Sequence, residues 1–173
     1  MGGPYQAVLF NMFRTMYHIR SLLLLTLLLF LPVLIFRVQA QGEAANWFFG
    51  QGAGLHFNPD GSVANIPGNA MPASQSSASI SDKQGNLLFY TNGETVWNRQ
   101  HQVMQNGSGL LGFPDGSQTC IIIPHPGNPA HYYIFHLQAE PNKVVYNLRY
   151  SLVDMAAHIG LGEVIPASKN TLL

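Results

Sequence analysis

Charged residues are scarce in this 173-residue chain, and they are unevenly placed. Only 9% of the residues are Asp, Glu, Lys or Arg, and residues 1–40 contain no acidic side chain. Residues 41–173 carry 5 basic and 8 acidic side chains, which leaves them with a net negative charge. A nucleic-acid-binding domain or a polybasic membrane-surface module requires a basic patch, so this balance argues against both classes.

Cysteine is nearly absent, because Cys120 is the single one. An exported domain that depends on disulfides carries an even number of cysteines, so a packed apolar core must stabilise this chain instead. Cys120 directly precedes three isoleucines, 121–123. This context predicts a buried, unreactive thiol and not a nucleophile.

The N-terminal region has the pattern of a secretory signal peptide. Arg14 and Arg20 precede an uncharged, leucine-rich run at residues 21–36, and Val38-Gln39-Ala40 provides a small-residue end. A basic segment, a short apolar segment and an A-x-A-like end are the three parts of such a leader. The sequence therefore predicts a signal peptide at residues 1–40, cleaved between Ala40 and Gln41.

A retained membrane anchor at residues 21–36 is the alternative to cleavage. A helix that spans the hydrocarbon core needs about 20 apolar residues. The run is shorter than that, and Pro32 and Arg37 shorten it further. The length of the run therefore favours a cleaved leader over a retained anchor. Met1, Met12 and Met16 are the alternative translation starts.

After Ala40 the sequence indicates strands and turns. No stretch keeps apolar residues at helical spacing for three turns, and only Asp154 to Ile159 suggests a helical turn. Short runs of β-branched and aromatic residues alternate instead with Gly, Pro, Asn and Asp, including Asn106-Gly107. The predicted strands are Ala78 to Ser81, Leu87 to Thr91, Thr95 to Asn98, Val103-Met104, Cys120 to Pro124, Tyr132 to Leu137, Leu148 to Val153 and Glu163 to Ile165.

The predicted strands repeat. One hairpin turns at Gly85-Asn86, a second turns at Gly127-Asn128 about 42 residues later, and a further strand pair follows each. Four short strands at this period are typical of a β-propeller blade. The fold prediction is all-β, a partial β-propeller of two to three four-stranded blades after an N-terminal signal helix, with a β-sandwich as the alternative.

The length of the exported part has a consequence for this fold. Residues 41–173 supply about three blades, whereas closure of a propeller requires at least about four. We therefore expect an incomplete propeller-like domain at 41–173 that leaves one apolar blade face open. The apolar ending Thr171-Leu172-Leu173 adds to the expectation that the chain is the front portion of a longer protein.

Several longer motifs support a family resemblance. They are Ala44 to Gly50, Ala53 to Asn58, Ala78 to Asp82, Gly85 to Gly93, Val96 to Asn98, His101, Met104 to Gly107, Gly109 to Gly112, Pro124 to Asn128, Tyr132 to Phe135, Leu148 to Ser151, Val153 to Met155 and Gly160 to Val164. In these motifs the chain resembles the opening of a large family of secreted Bacteroidetes surface proteins.

The resemblance implies a location and a fold and no reaction. Such proteins look like N-terminal β-propeller modules, often followed by immunoglobulin-like repeats and a C-terminal sorting domain of the type IX secretion or gliding-motility-associated kind. It implies a secreted or cell-surface protein, or a periplasmic one if the sorting region is absent.

The titratable residues do not form a recognisable catalytic or metal motif. His125, His131 and His136 lie on one predicted hairpin, but His131 and His136 point to opposite faces of a strand, and zinc needs further ligands. Five carboxylates are plausible members of a glycosidase pair, yet nothing in their spacing forces one; they are Asp82, Glu94, Asp115, Asp154 and Glu163. Asp82 and Asp154 each follow a strand, which favours a structural role in a turn.

Serine and the aromatic residues offer weaker candidates. The segment Asn106 to Gly109 lacks the first Gly of a nucleophile elbow. Five aromatic residues provide either a stacking surface for a carbohydrate or peptide or, as the favoured interpretation, the packing between blades; they are Trp47, Trp97, Tyr132, Tyr133 and Tyr150. We predict an exported, non-catalytic module for binding or cell-surface assembly, with no cofactor and no metal, whose partner is a protein or glycan at the cell surface. A fragment of a secreted hydrolase with its active site at the propeller centre is the alternative.

Overall fold

The structure is a computed structural model of the chain, and it describes residues 12, 14, 16–21, 42–72, 74–139 and 146–173. The chain divides into two compact units, residues 1–39 and 40–173. The described residues of the first unit are helical. No helix among the described residues is both long enough and apolar enough to cross a membrane. Residues 22–36 of the predicted apolar run, and the predicted cleavage position at Ala40 and Gln41, lie outside the described residues.

The second unit is all-β, as the sequence predicted. The strands among its described residues are β1 (Asn46–Phe48), β2 (Gly54–Phe57), β3 (Val63–Asn65), β4 (Ala78–Ser81), β5 (Leu87–Thr91), β6 (Thr95–Asn98), β7 (Val103–Ser108), β8 (Cys120–Pro124), β9 (His131–Ala139), β10 (Tyr146–Asp154), β11 (Glu163–Val164) and β12 (Thr171–Leu172). The helical elements of this unit are short 3-10 turns at Gly42–Ala44, His158–Gly160 and Pro166–Ser168.

The strands form one small and one large sheet. β1, β2 and β3 make an antiparallel three-stranded sheet. β4 to β7 form a four-stranded antiparallel meander, which we call the first meander, and β8 to β11 form the second meander. Each meander has the connectivity expected of a propeller blade.

Edge contacts join the two meanders into a single sheet. β7 and β11 are neighbours through one parallel bridge, between Gln105 and Glu163. At the other end β4 contacts β8, and β12 pairs with β10 beside the main strand order. The large sheet is therefore nearly closed, in a barrel-like arrangement, although its local connectivity is that of two meanders.

Two apolar clusters hold three layers together. The larger cluster lies between the meanders, and Phe89 and Val96 of the first meet Ile134 and Val153 of the second, all with no exposed surface. Burial of each such side chain contributes roughly 1.5–3 kcal/mol. The smaller cluster packs the three-stranded sheet on the opposite side of the first meander, and its members are Phe48, Met71, Tyr90 and Trp97, with Ile66 and Leu87 at its border.

The predicted strand bounds hold for β4, β5, β6 and β8, whereas one predicted turn is wrong. Asn106-Gly107 lies inside β7 and not at its end. Asn106 adopts φ of 57°, and the register between β6 and β7 is irregular, so the two residues form a bulge and the strand continues. A Cβ on Gly107 would lie 2.8 Å from the Met104 carbonyl oxygen, which explains the glycine at this crowded point.

Candidate functional site

A shallow cleft lies where the three-stranded sheet meets the start of β4. Its volume is about 380 Å³. The residues that line it come from β1 and its end, from β4 and the segment before it, and from the segment before β8; they are Trp47, Phe48, Phe49, Gln75, Ser77, Ala78, Ser79 and Gln118. All are uncharged. The cleft is therefore a mixed aromatic and polar surface with no ionisable group in its lining.

The alternation of β1 places Trp47 at the surface. Asn46 and Phe48 are buried, while Trp47 between them is 48% exposed. Its indole Nε1–H donates to the carbonyl oxygen of Ala44 at 3.0 Å, and its ring packs against Phe57 with centroids 5.2 Å apart. The polar edge of the indole is thus satisfied, and part of its apolar ring remains open to solvent.

The polar side of the cleft is supplied by two glutamines and two serines. The backbone N–H groups of Gln75 and Ser76 both donate to the Pro114 carbonyl, and Ser76 Oγ accepts from the Thr119 N–H at 2.9 Å, which fixes the segment before β4 beside the segment before β8. The side-chain amides of Gln75 and Gln118 are exposed and form no hydrogen bond within the described part of the chain. They are free to donate to, and accept from, a bound molecule.

A second depression continues the cleft. It has a volume of about 240 Å³ and is lined by Phe49, Gly50, Gln51 and Ser74. Phe49, which is 40% exposed, lines both depressions. The two together form a groove with aromatic side chains and amide groups along it.

A different surface, the outer face of the second meander, is apolar and open. Its residues are Ile121, Ile123, Tyr133, Phe135, Leu137, Leu148, Tyr150 and Leu152. The strand register places Ile121, Phe135 and Tyr150 in one row across β8, β9 and β10. Ile121 is 55% exposed and Leu148 is 44% exposed. Contiguous exposed apolar residues of this kind mark interaction surfaces.

The aromatic rings on this outer face pack against one another. The rings of Tyr133 and Phe135 are 5.6 Å apart at 30°, and the ring of His125 stacks on Tyr133 at 5.1 Å. Tyr150 contacts both Tyr133 and Phe135. Because the rings contact one another in stacked, tilted and edge-on arrangements, they resemble core packing more than a flat platform for a sugar.

The five aromatic candidates from the sequence are divided between core and surface. Trp97 is buried and stacks on Tyr90 at 5.4 Å, and Tyr132 packs edge-on against Phe89 within the larger cluster. Both therefore pack sheets together, which is the role that the sequence favoured over a ligand-stacking surface. Trp47, Tyr133 and Tyr150 lie instead on the two surfaces described above.

The three candidate histidines do not converge on one point. The rings of His125 and His131 meet with centroids 5.9 Å apart, whereas His136 lies on the buried side of β9, with its Nε2 3.3 Å from Ser151 Oγ. His131 faces Asp154 with its Nε2 3.8 Å from a carboxylate oxygen. Across the described residues no group of three His, Cys, Asp or Glu side chains is placed to hold a metal ion.

The candidate carboxylates are mostly engaged in local contacts. Desolvation raises the pKa of Asp82, but hydrogen bonds from the side-chain amide and backbone N–H of Asn86 and from the Gln84 N–H outweigh it, so the pKa lies below the usual aspartate value. Asp154 accepts from the Ala156 N–H at 2.8 Å. Glu163 contacts His158 at 3.1 Å, and Glu94 and Asp115 are exposed. These local roles do not favour the glycosidase alternative.

Cys120 is buried, as the sequence predicted. Its Sγ lies 3.3 Å from Ser76 Oγ. Burial raises the pKa of the thiol, although the Ser76 hydroxyl partly opposes that effect. A thiol of this kind is not activated for nucleophilic attack.

Of the cleft residues, Trp47 was predicted from the sequence as a candidate, whereas Phe49, Gln75 and Gln118 were not. Their shared signal is weak, because uncharged polar residues in predicted loops are common. No known protein family, no curated protein and no solved structure matches the chain. The comparisons therefore assign neither a family nor an activity.

Proposed function

We propose that residues 41–173 form an exported, non-catalytic, propeller-like module that assembles with another β-sheet at the cell surface. The leader pattern at residues 1–40 and the resemblance to secreted Bacteroidetes surface proteins support export. The periplasm is the destination if no sorting region directs the protein further. The structure supports the second part of the proposal, the assembly with another β-sheet.

One observation carries the proposal: among the described residues, two apolar sheet faces are covered by another sheet and a third is not. The three-stranded sheet covers one face of the first meander through Phe48, Tyr90 and Trp97. The other face of that meander packs on the second meander through Phe89 and Ile134. The outer face of the second meander has side chains of the same type but no covering layer within the described part of the chain.

The occupant of that face is another apolar β-sheet, packed as the two internal interfaces are. All eight residues of the outer face are uncharged, so bringing two such faces together creates no like-charge repulsion. In a larger secreted protein the occupant is the next blade-like sheet. In a purified sample the available sheet is the same face of a second copy.

Sedimentation velocity of the protein purified after expression of the full chain tests the proposal. We expect reversible, concentration-dependent self-association of the wild type, because the uncovered apolar surface is removed from water on association. Ile121→Lys places a charge on the outer face and should shift the sample to monomer. Val103→Lys is a matched control, since Val103 is 54% exposed and lies on β7, away from that face.

Two results would contradict the proposal. One is a wild type that remains monomeric at all concentrations, and the other is an equal effect of Ile121→Lys and Val103→Lys on association. Thermal unfolding of both variants separates a lost interface from a lost fold, because exposed positions tolerate lysine with little effect on stability.

A further inference from the structure

We infer that the cleft beside Trp47 binds a neutral carbohydrate through ring stacking on Trp47 and Phe49 and through hydrogen bonds to Gln75 and Gln118. The inference is independent of the proposed assembly, because the cleft lies at β1 and β4 and the outer face lies on β8, β9 and β10. It concerns a small-molecule site with its own chemistry.

The composition of the cleft selects the chemical class of the ligand. A charged ligand would lose water without gaining an opposite charge, because none of the described residues that line the cleft is ionisable. A wholly apolar ligand would cover the amides of Gln75 and Gln118 without satisfying them. A neutral sugar has C–H groups on a ring face for the aromatic side chains and hydroxyl groups that both donate and accept.

The groove suits a sugar better than a peptide strand. A peptide that adds to a sheet needs a free strand edge. One edge of β1 pairs with β2, and on the other side the Asn46 carbonyl already accepts a hydrogen bond from Ser79 Oγ at 2.6 Å. That carbonyl is therefore not available to an added strand, whereas the exposed side chains of Trp47, Gln75 and Gln118 are available to a ligand.

The size and rigidity of the site are also appropriate. A cavity of about 380 Å³ lies in the range of small-ligand sites, and the adjoining depression at Phe49 extends it for a second sugar ring. The hydrogen bond to Ala44 and the contact with Phe57 hold the Trp47 ring in place before any ligand arrives. Such preorganisation reduces the entropy lost on binding.

The two tryptophans allow the cleft and the core to be compared in one sample, because each has its own indole N–H signal. In a proton–nitrogen correlation spectrum of the purified protein, the indole N–H of Trp47 reports on the cleft, while that of the buried Trp97 reports on the core. Trp47→Phe assigns the two signals. We expect titration with cellobiose, N,N′-diacetylchitobiose or maltose, taken into the millimolar range, to shift the Trp47 signal and to leave Trp97 unchanged.

Calorimetric titration of variants with the sugar that shifts Trp47 most tests the named contacts. We expect Trp47→Ala to weaken binding on the order of 10-fold or more, because an aromatic anchor is lost, and Trp47→Phe to retain part of the affinity. Gln118→Ala should weaken binding several-fold. Gln84→Ala removes another exposed amide, in the β4–β5 turn outside the cleft, and should have no effect.

Three outcomes would overturn the inference. They are the absence of a Trp47 shift with all three sugars, sugar affinity unchanged in Trp47→Ala, and a Trp47 shift produced by an uncharged blocked tripeptide but by none of the sugars. The Trp97 signal and the thermal unfolding midpoint show in each case that the variant is folded. Self-association measured on the same samples keeps this result separate from the assembly proposal.

Discussion

The side-chain amide of Asn46 donates hydrogen bonds to Ser81 Oγ at 2.9 Å and to the Gly85 carbonyl at 2.8 Å. Its amide oxygen lies 2.8 Å from Nδ1 of His56. One buried residue on β1 thus connects the three-stranded sheet with the first hairpin of the first meander. The contact is polar, so it fixes the position of the small sheet more specifically than the apolar cluster beside it does.

We therefore expect Asn46→Ala to lower the free energy of unfolding by about 2–4 kcal/mol, because it removes buried hydrogen bonds and leaves Ser81 without its partner. Urea denaturation followed by tryptophan fluorescence measures the change. Asn58→Ala is the control, since Asn58 also donates to a serine, Ser62, but does so in an exposed turn. Equal destabilisation by the two substitutions would show that the buried Asn46 contacts contribute no more to the free energy of unfolding than an exposed hydrogen bond does.

The strands of the two meanders could be predicted because their signals are local. Short strand-forming runs closed by turn residues define β4 and β8 without reference to distant parts of the chain. β1, β2 and β3 were not predicted, since they depend on tertiary contacts such as that of Asn46. At Asn106-Gly107 a strong turn signal is overridden by pairing on both sides of β7.

The cleft was harder to predict than the fold. Trp47, Gln75 and Gln118 are far apart in sequence, and only the packing of β1 beside β4 and β8 brings them together. The outer face of the second meander follows more directly, because side chains alternate along a strand, which places Ile121 and Tyr133 on the face opposite Ile122 and Ile134.

The single cysteine provides a test of the packing between β8 and the segment before β4. Because Cys120 is buried and burial raises the pKa of its thiol, we expect iodoacetamide at pH 8 to modify the native protein at least about 100-fold more slowly than the urea-unfolded protein. Mass spectrometry of timed samples measures the rates. A double variant, Cys120→Ser with Ser117→Cys, moves the thiol to an exposed position and should react quickly in the native state. Fast labelling of native Cys120 would contradict its burial.

Export gives a prediction for the leader. If the signal peptide at residues 1–40 is cleaved as predicted, N-terminal sequencing of the exported product from a Gram-negative host should begin at Gln41. Ala40→Phe places a large residue where the peptidase requires a small one, and the product should remain uncleaved in the membrane fraction. Gln39→Phe changes the tolerant middle position of the A-x-A-like end and should be processed normally. An uncleaved wild type would favour the retained anchor at 21–36.

His136 predicts how stability depends on pH. The side chain is fully buried between β8 and β10, and its Nδ1 has no hydrogen-bond partner among the described residues. Burial lowers the pKa of His136 to about 4; the Leu111 backbone opposes that effect, and the positive charge of Arg149 adds to the lowering. In the unfolded chain the pKa of histidine is about 6.5.

Between these two values the unfolded state binds one proton more than the folded state does. Stability from this residue is therefore complete above about pH 6.5 and is lost as the pH falls toward 4, by up to about 1.4 kcal/mol for each pH unit. We expect His136→Gln to have a smaller pH slope of the free energy of unfolding in that window, even though its stability at pH 7.5 is lower. His125→Gln, in the β8–β9 turn, should keep the wild-type slope; a wild-type slope in His136→Gln as well would show that other groups cause the acid sensitivity.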